Sequence, residues 1–276
     1  MRTFKIVLAY DGTDFVGWQR QAEGVSVQGV LEAALRTLDD REVTVIGAGR
    51  TDAGVHALGQ VAAFSLARAI DGDTLVRALN AHLPETVRVL SAEEAAPGFN
   101  PRYDAKSKTY LYRIWNGPAL SPFERRYAWH YSGALDAAAM DQAARRLEGR
   151  HDFAAFQAAG SDVATTERTI FGSRVLRIED CGLRIYCGLP ITNKSAIRNP
   201  QSALLEYHVI GDGFLRHMVR AIVGTLIEIG RGRQRVEWID DVLASRDRRA
   251  AGSTVPALGL FLVSVDYGER LAGERD

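Results

Sequence analysis

The feature that most constrains the fold is a glycine-rich turn with a strand pattern on each side of it. The stretch EVTVIGAG has the β-branched and small residues of a strand that enters the turn, and GQVAAFSL after it alternates as a second strand does. The turn itself, GAGRTDAG at residues 47–54, therefore joins strand to strand. A dinucleotide-binding fold would instead require a helix directly after the turn, because the helix N-terminus faces the pyrophosphate.

Strand and helix patterns recur in two rounds along the chain. In the first round FKIVLAYDG predicts a strand, and an amphipathic helix follows the N-cap residue Ser26. In the second round KTYLYRIWN predicts a strand, and the next helix runs from an N-cap at Asp136 to a stop at Gly149. SRVLRIED, ALLEYHVIG and LGLFLVSVDY predict three further strands. This order predicts an α+β protein of two related halves.

One more helix is predicted from GFLRHMVRAIVGTLIEIG. Helical spacing puts Phe214 and Met218 on its buried face. Arg216 and Arg220 are four residues apart and would share another face. The segment 188–202, GLPITNKSAIRNPQS, has the composition of a long loop between strands.

Length and composition exclude several classes of protein. The chain of 276 residues is 46% hydrophobic, which is enough for one large core or two modest ones and argues against disorder. No apolar run approaches the roughly 20 residues of a membrane span, and the N-terminus lacks a secretory pattern, so we expect a cytoplasmic protein. Cys181 and Cys187 lack the close doublet spacing of a zinc site, so we expect packing thiols and no metal.

The distribution of charge is more informative than its sum. The net charge is zero, with 34 basic and 34 acidic residues, which gives no sign of a polyanionic partner. Residues 98–130 nevertheless hold six basic and two acidic side chains interleaved with eight aromatic ones, and residues 211–235 hold five basic and two acidic side chains. Arginine beside stackable rings suits unpaired RNA bases, although solvated arginines around core aromatics fit this pattern equally well.

Asp52 lies in the glycine-rich turn, and three interpretations of it are open. It is a turn former that bonds nearby backbone amides, part of a phosphate-binding turn, or a reactive carboxylate whose neighbouring glycines let a substrate approach. The phosphate interpretation fits poorly, because the carboxylate would face the phosphates. A reactive carboxylate needs a cation that favours its charged form. Arg50 is too near in sequence to be sure of facing Asp52, so a second cation is expected from elsewhere in the chain. Arg220, on a helix face and beside basic neighbours, is the candidate.

Taken together, these stretches resemble one family. YDGTDFVGWQRQ with SVQGVLEAAL, GAGRTDAGVHALGQVAAF, FNPRYDAKSKTYLYRI, ERTI, FLRHMVRAIVG and ALGLFLVSVDY occur in the order and with nearly the spacing of the tRNA pseudouridine synthase A family, over almost the whole chain. The resemblance implies two ferredoxin-like halves, residues 1–105 and 106–276, which share a mixed, mainly antiparallel sheet with a central cleft. It also implies a homodimer that isomerises uridine to pseudouridine at nucleotides 38, 39 and 40 of the tRNA anticodon stem-loop, without cofactor or metal.

The resemblance further implies roles for individual residues. Asp52, in GRTDAG, resembles the family's catalytic nucleophile, and Arg220, in HMVR, resembles the arginine that pairs with it. Tyr110, in KTYLY, resembles the ring that stacks on the extracted uracil, with its hydroxyl near the proton transfers. Three more arginines resemble positions that contact the tRNA: Arg50, Arg102 and Arg168.

The chain departs from the family's pattern at two places. The segment from about Cys181 to Ser202 is longer than the usual hairpin turn, and Asn100 and Pro101 stand where relatives often carry a histidine and another small residue. His56 follows the GRTDAG stretch, and we expect it in a structural hydrogen bond rather than in the chemistry. The rival interpretations are a non-catalytic RNA-binding protein on the same scaffold and a dinucleotide-dependent enzyme.

Overall fold

The computed structural model describes residues 1–158, 160, 163–178 and 203–268. The predictions for Cys181, Cys187 and the 188–202 loop lie outside the described residues. Among the residues that the structure describes, none of the helices could span a bilayer.

The described residues form ten β-strands and five α-helices. The strands are β1 (Arg2–Tyr10), β2 (Ile46–Gly47), β3 (His56–Leu66), β4 (Val87–Glu94), β5 (Ser107–Trp115), β6 (Trp129–His130), β7 (Gly149–Asp152), β8 (Glu167–Ile178), β9 (Leu204–Gly211) and β10 (Leu260–Asp266). The helices are α1 (Val27–Asp39), α2 (Gly72–His82), α3 (Ala137–Arg145), α4 (Met218–Gly230) and α5 (Trp238–Ser245).

The strands of the described residues form one sheet in the order β4-β1-β3-β10-β5-β9-β8-β7, with β2 beside β3 and β6 beside β5. The β3–β10 and β5–β6 pairs are parallel. The other strand pairs in this part of the chain are antiparallel. The α+β prediction with a mixed, mainly antiparallel sheet is therefore confirmed.

The order of the strands repeats between the two halves of the chain. The first half has the order β4-β1-β3-β2, with α1 and α2 as its crossovers, and the second half has the order β10-β5-β9-β8, with α3 and α4 in the same places. Both follow the βαββαβ topology of a ferredoxin-like fold. The halves join where β3 pairs with β10, with Phe261 opposite His56. A division at 105/106 falls between β4 and β5, and as a domain boundary it stays a prediction.

Local sequence explains where two of the helices begin. The Ser26 hydroxyl accepts a 3.1 Å hydrogen bond from the backbone N–H of Gly29 at the start of α1, and Asp136 caps α3 in the same way. Both N-caps were predicted. The predicted stop at Gly149 is wrong: α3 ends at Arg145, because the next N–H groups bond three residues back in a tighter turn.

The start of α4 also differs from the prediction. His217 has a left-handed backbone with φ 61°, which a right-handed helix cannot include, so α4 begins only at Met218. Phe214 and Arg216 therefore lie before the helix. The prediction that Arg216 and Arg220 share a helical face is wrong for this reason.

The segment 252–255 crosses α4 at close range. A Cβ at Gly224 would overlap the carbonyl oxygen of Ser253, so a glycine is required where the two backbones meet. The backbone N–H of Gly252 donates to the Thr225 hydroxyl at 2.9 Å and fixes the crossing. This arrangement brings Val255 beside the first turn of α4.

Candidate active site

A cleft of about 1140 Å³ lies between the two halves. The glycine-rich turn lines it from the first half, and residues 214–220 line it from the second. Tyr110 of β5 and Leu260 of β10 complete the wall between them. The central cleft expected from the sequence is therefore present.

The glycine-rich turn joins β2 to β3, as predicted, so a strand and not a helix follows it directly. The phosphate-binding interpretation is therefore wrong. EVTVIGAG contributes fewer residues to the sheet than predicted, because the Val45 N–H bonds the Glu32 side chain at 3.3 Å instead of a neighbouring strand. A Cβ at Gly47 would overlap the Trp18 indole, so this glycine makes room for a neighbouring side chain. Gly47 and Gly49 both line the cleft.

Asp52 comes from a turn that is held on both sides. The Val55 N–H donates to the Asp52 carbonyl at 3.1 Å, and Gly54 takes the positive φ of 77° that this β-turn needs. On the other side, the hydroxyls of Thr51 and Tyr10 are 2.8 Å apart in a buried hydrogen bond. The carboxylate is thus presented by backbone that has little freedom to move.

Arg220 reaches Asp52 from the first turn of α4, 168 residues away in sequence. Its Nη1 is 3.3 Å from Asp52 Oδ2, and its Nε donates to the Val255 carbonyl at 2.8 Å. The side chains of Arg220 and Asp52 are only 15% and 32% exposed. Because water screens such a pair less than an open surface pair, the attraction is correspondingly stronger. This is the second cation that the sequence required.

His217 also faces Asp52, and the sequence analysis missed it. Its Nε2 lies 3.3 Å from the same oxygen, Oδ2. Burial lowers the pKa of His217 below its ordinary value; Asp52 opposes that effect, and Arg220, Arg216 and Arg248 add to it. The ring is therefore neutral near neutral pH. His217 could have been identified from the sequence, because it stands three residues before Arg220 in the HMVR stretch.

Tyr110 is buried in the cleft wall, with 8% of its surface exposed. The edge of its ring meets Phe214, with centroids 4.9 Å apart and planes at 73°. Burial raises the pKa of Tyr110, and Tyr10 and Asp52 raise it further, so the phenol keeps its proton throughout the physiological range. Phe214 was predicted on a helical face and instead lines the cleft beside this ring.

The three candidate tRNA-contacting arginines lie outside this cluster. Arg50 and Arg102 are exposed and line the cleft. Arg168 is half-buried on β8, and its Nη1 donates to the Thr165 carbonyl at 2.9 Å. It does not line the cleft in the described residues.

Lys108 is a second cleft residue that the sequence analysis did not single out. Its Nζ donates to the Ala48 carbonyl at 2.8 Å. Burial, helped by Arg102 and Arg168, lowers the pKa of Lys108 to about 8. The signal was available, because Lys108 and Tyr110 are two apart on a strand and so share a face.

His56 has the structural environment that was expected. It is buried, its Nδ1 accepts from the Gly12 N–H at 3.1 Å, and its ring stacks on Phe261 with centroids 4.7 Å apart. Its Nε2 lies within hydrogen-bonding distance of the carbonyls of Arg126 and Leu258. In the described residues no group of His, Cys, Asp or Glu side chains is placed to hold a metal ion.

The paired ferredoxin-like halves and the acidic turn facing an arginine helix are the features of a pseudouridine synthase. Comparison with known proteins narrows that class to a family. The family model for "tRNA pseudouridine synthase" matches residues 6–104 and 143–268. The chain therefore belongs to the tRNA pseudouridine synthase family.

Individual relatives are similar over nearly their whole length. The tRNA pseudouridine synthase A of Pelobacter propionicus is 43% identical over 270 residues, which cover 97% of this chain and 100% of that protein. The proteins of the same name from Moorella thermoacetica and Solibacter usitatus are each 45% identical, with the same coverage. A solved structure, "Crystal Structure of a Cbf5-Nop10-Gar1 Complex", covers 81% of this chain and 45% of its own at 12% identity and a TM-score of 0.34, which is too distant to carry an argument.

Proposed function

We propose that the protein isomerises uridine to pseudouridine in tRNA, at nucleotides 38, 39 and 40 of the anticodon stem-loop. The observation that carries the proposal is the Asp52 carboxylate, held 3.3 Å from the Arg220 guanidinium in a cleft lined by both halves. The names of the relatives support tRNA as the substrate.

The reaction explains why the cleft needs a carboxylate. The bond between uracil N1 and ribose C1′ breaks, and a bond between uracil C5 and C1′ forms. C5 loses a proton and N1 gains one, so no electrons are exchanged with a partner. Asp52 is the nucleophile or charge stabiliser, because an ionised carboxylate can attack carbon and leave again, or stabilise an electron-poor sugar. Attack at C1′, addition at C6 and a glycal route all use this group.

Arg220 and Tyr110 have separate tasks in this proposal. Arg220 attracts the Asp52 carboxylate and fixes its direction, since Arg220 is itself fixed by the Val255 carbonyl. Tyr110 stacks on the extracted uracil and stays a phenol, which can donate a hydrogen bond. Extracting the base from the stem costs a few kcal/mol, and stacking offsets part of that cost.

Binding of the tRNA is assigned to the arginines outside this cluster. Arg50, Arg102 and Arg168 contact the RNA backbone and carry little sequence information. A homodimer would let one tRNA touch both subunits, so that arginine-lined clefts compensate for zero net charge. The two domains are residues 1–105 and residues 106–276. The protein acts in the cytoplasm, where tRNA is modified.

Tritium release tests the proposal directly. A tRNA transcript labelled with tritium at uracil C5 should lose the label to water, because C5 gives up its hydrogen. Transcripts that keep a single uridine at position 38, 39 or 40 test each position, and a transcript with cytidine at all three is the control. Release no greater than from the control would overturn the proposed reaction.

The same assay separates the enzyme from a non-catalytic RNA-binding protein on this scaffold. Such a protein would bind the transcript and release no tritium. The combination of Asp52, Arg220 and Tyr110 in one cleft favours the enzyme, because RNA binding alone requires no partly buried acid next to a polyanion.

A further inference from the structure

His217 and Arg220 approach the same carboxylate oxygen. Each has a nitrogen 3.3 Å from Asp52 Oδ2. The other oxygen, Oδ1, accepts no hydrogen bond within the part of the chain that the structure describes. Only the Arg220 contact has the geometry of a hydrogen bond in this structure; the His217 ring lies at the same distance without that geometry. We propose that His217 is a positioning residue that donates its Nε2–H to Oδ2 once the uridine is bound, so that two donors fix this oxygen and Oδ1 is left to meet the base. The inference rests on the proposed function.

The backbone of His217 supports a role for its side chain. Three described non-glycine residues have positive φ: Asp40, His217 and Arg246. Asp40 and Arg246 follow the last turn of a helix, where the left-handed conformation is common. His217 precedes a helix, and its side chain does not cap that helix. A glycine would adopt this conformation without strain, so the backbone alone would favour glycine at position 217. The presence of a histidine there points to a role for its imidazole.

The charges around His217 determine the form in which it donates. Asp52 faces it from the glycine-rich turn, Arg220 from α4, Arg216 from the preceding segment and Arg248 from the short helical turn after α5. Three cations around one ring disfavour a further positive charge there, in agreement with the lowered pKa of His217. A neutral imidazole adds a hydrogen bond to Oδ2 and does not cancel the negative charge of the carboxylate.

Two substitutions test the donor. His217→Gly removes it and fits the backbone, so we expect kcat to fall about 10- to 100-fold with an unchanged KM for tRNA and an unchanged or higher Tm. His217→Gln keeps a neutral donor of similar reach and should recover most of the rate. Asp40→Gly is the matched control: it relieves the same conformation, φ 54°, outside the cleft, and should keep the wild-type kcat.

The outcomes separate this inference from others. A wild-type kcat for His217→Gly would overturn it, and so would a Gln variant as slow as the Gly variant, which would indicate packing rather than donation. A raised KM at unchanged kcat would overturn it in favour of an RNA contact.

A second measurement does not depend on activity. Nitrogen-15 NMR of the full chain with labelled histidine, assigned by comparison with His217→Gln, should show a neutral His217 ring with its proton on Nε2. A proton on Nδ1 instead would overturn the inference. If the wild-type protein releases no tritium, the proposed reaction is wrong. The NMR result would still test whether His217 donates to Asp52, because it does not depend on turnover.

Discussion

The polar groups in and around the cleft belong to two regions that differ in how they are held. The floor of the cleft consists of Asp52, Tyr110, His217 and Arg220, and the outer arginines are Arg50, Arg102 and Arg168. The floor groups are partly or fully buried and fixed by contacts to one another and to backbone carbonyls. The outer arginines are exposed or half-buried.

This difference predicts two kinds of electrostatic effect. A buried pair at 3.3 Å acts over a short distance and depends on one geometry. Exposed charges act over roughly a Debye length and are screened by salt. Substitutions in the floor should therefore change kcat, and substitutions of the outer arginines should change binding and its salt dependence.

The largest effect is expected from Asp52→Asn. The amide keeps the size of the side chain and removes the charge, so turnover should fall by at least about a thousandfold. Binding of tRNA should stay within about tenfold, because the outer arginines are unchanged. Single-turnover tritium release and a filter-binding titration measure the two quantities. Appreciable residual turnover would mean that Asp52 is not the reacting group.

Substitution of Arg220 should have the next largest effect. Arg220→Ala leaves the Asp52 charge without its guanidinium partner, and we expect kcat to fall about 100- to 1000-fold. Arg220→Lys keeps a charge and loses the fixed fork that bonds both Asp52 and the Val255 carbonyl, so it should recover only part of the rate. Equal rates for the Lys variant and the wild type would show that charge alone is sufficient.

The outer arginines should affect affinity at unchanged kcat. Arg102→Ala and Arg168→Ala should each weaken tRNA binding by about tenfold or less. Each should also flatten the plot of log affinity against log salt by roughly 0.7 to 0.9 per lost phosphate contact. Binding titrations between low and moderate salt measure the slope. A slope equal to that of the wild type would mean that the substituted arginine does not touch the RNA.

The smallest effect concerns Lys108, which is partly buried and basic like the outer arginines. Its pKa of about 8 means that it loses its charge as pH rises from 7 to 9, so tRNA binding should weaken by about threefold over that range. The unfolded chain, with a lysine pKa near 10.5, binds more protons between these values, so Lys108 makes the free energy of unfolding rise with pH there. Lys108→Met should abolish both trends, and a pH dependence that survives the substitution belongs to another group.

Much of this arrangement could be predicted from the sequence. Alternation and N-cap residues identified strands such as β3 and β5 and the starts of α1 and α3, because those signals are local. The start of α4 could not be predicted, since Phe214 stands four residues before Met218 and satisfies helical spacing although the chain there is not helical. The pattern of apolar residues does not predict the positive φ of His217.

Only some of the residues that form the floor could be predicted from the sequence, because local patterns do not show which distant segments meet. Asp52 and Arg220 come from positions 168 residues apart. The need for a cation beside a reactive carboxylate suggested Arg220, and the family resemblance supported the pairing. The spacing of residues along the chain does not reveal that Asp52 and Arg220 meet, because the sheet topology brings them together. His217 and Lys108 were missed although they lie three and two residues from Arg220 and Tyr110, because short spacing along the chain does not by itself show which neighbour faces the cleft.

Gly224 does not line the cleft, yet the position of Arg220 depends on its lack of a side chain. A methyl group at that helix position would push the neighbouring segment outward, and with it the Val255 carbonyl that aims Arg220. A substitution at Gly224 would thus reduce activity through the position of Arg220, although Gly224 itself does not line the cleft. Engineered variants of this enzyme should therefore keep the glycine at position 224.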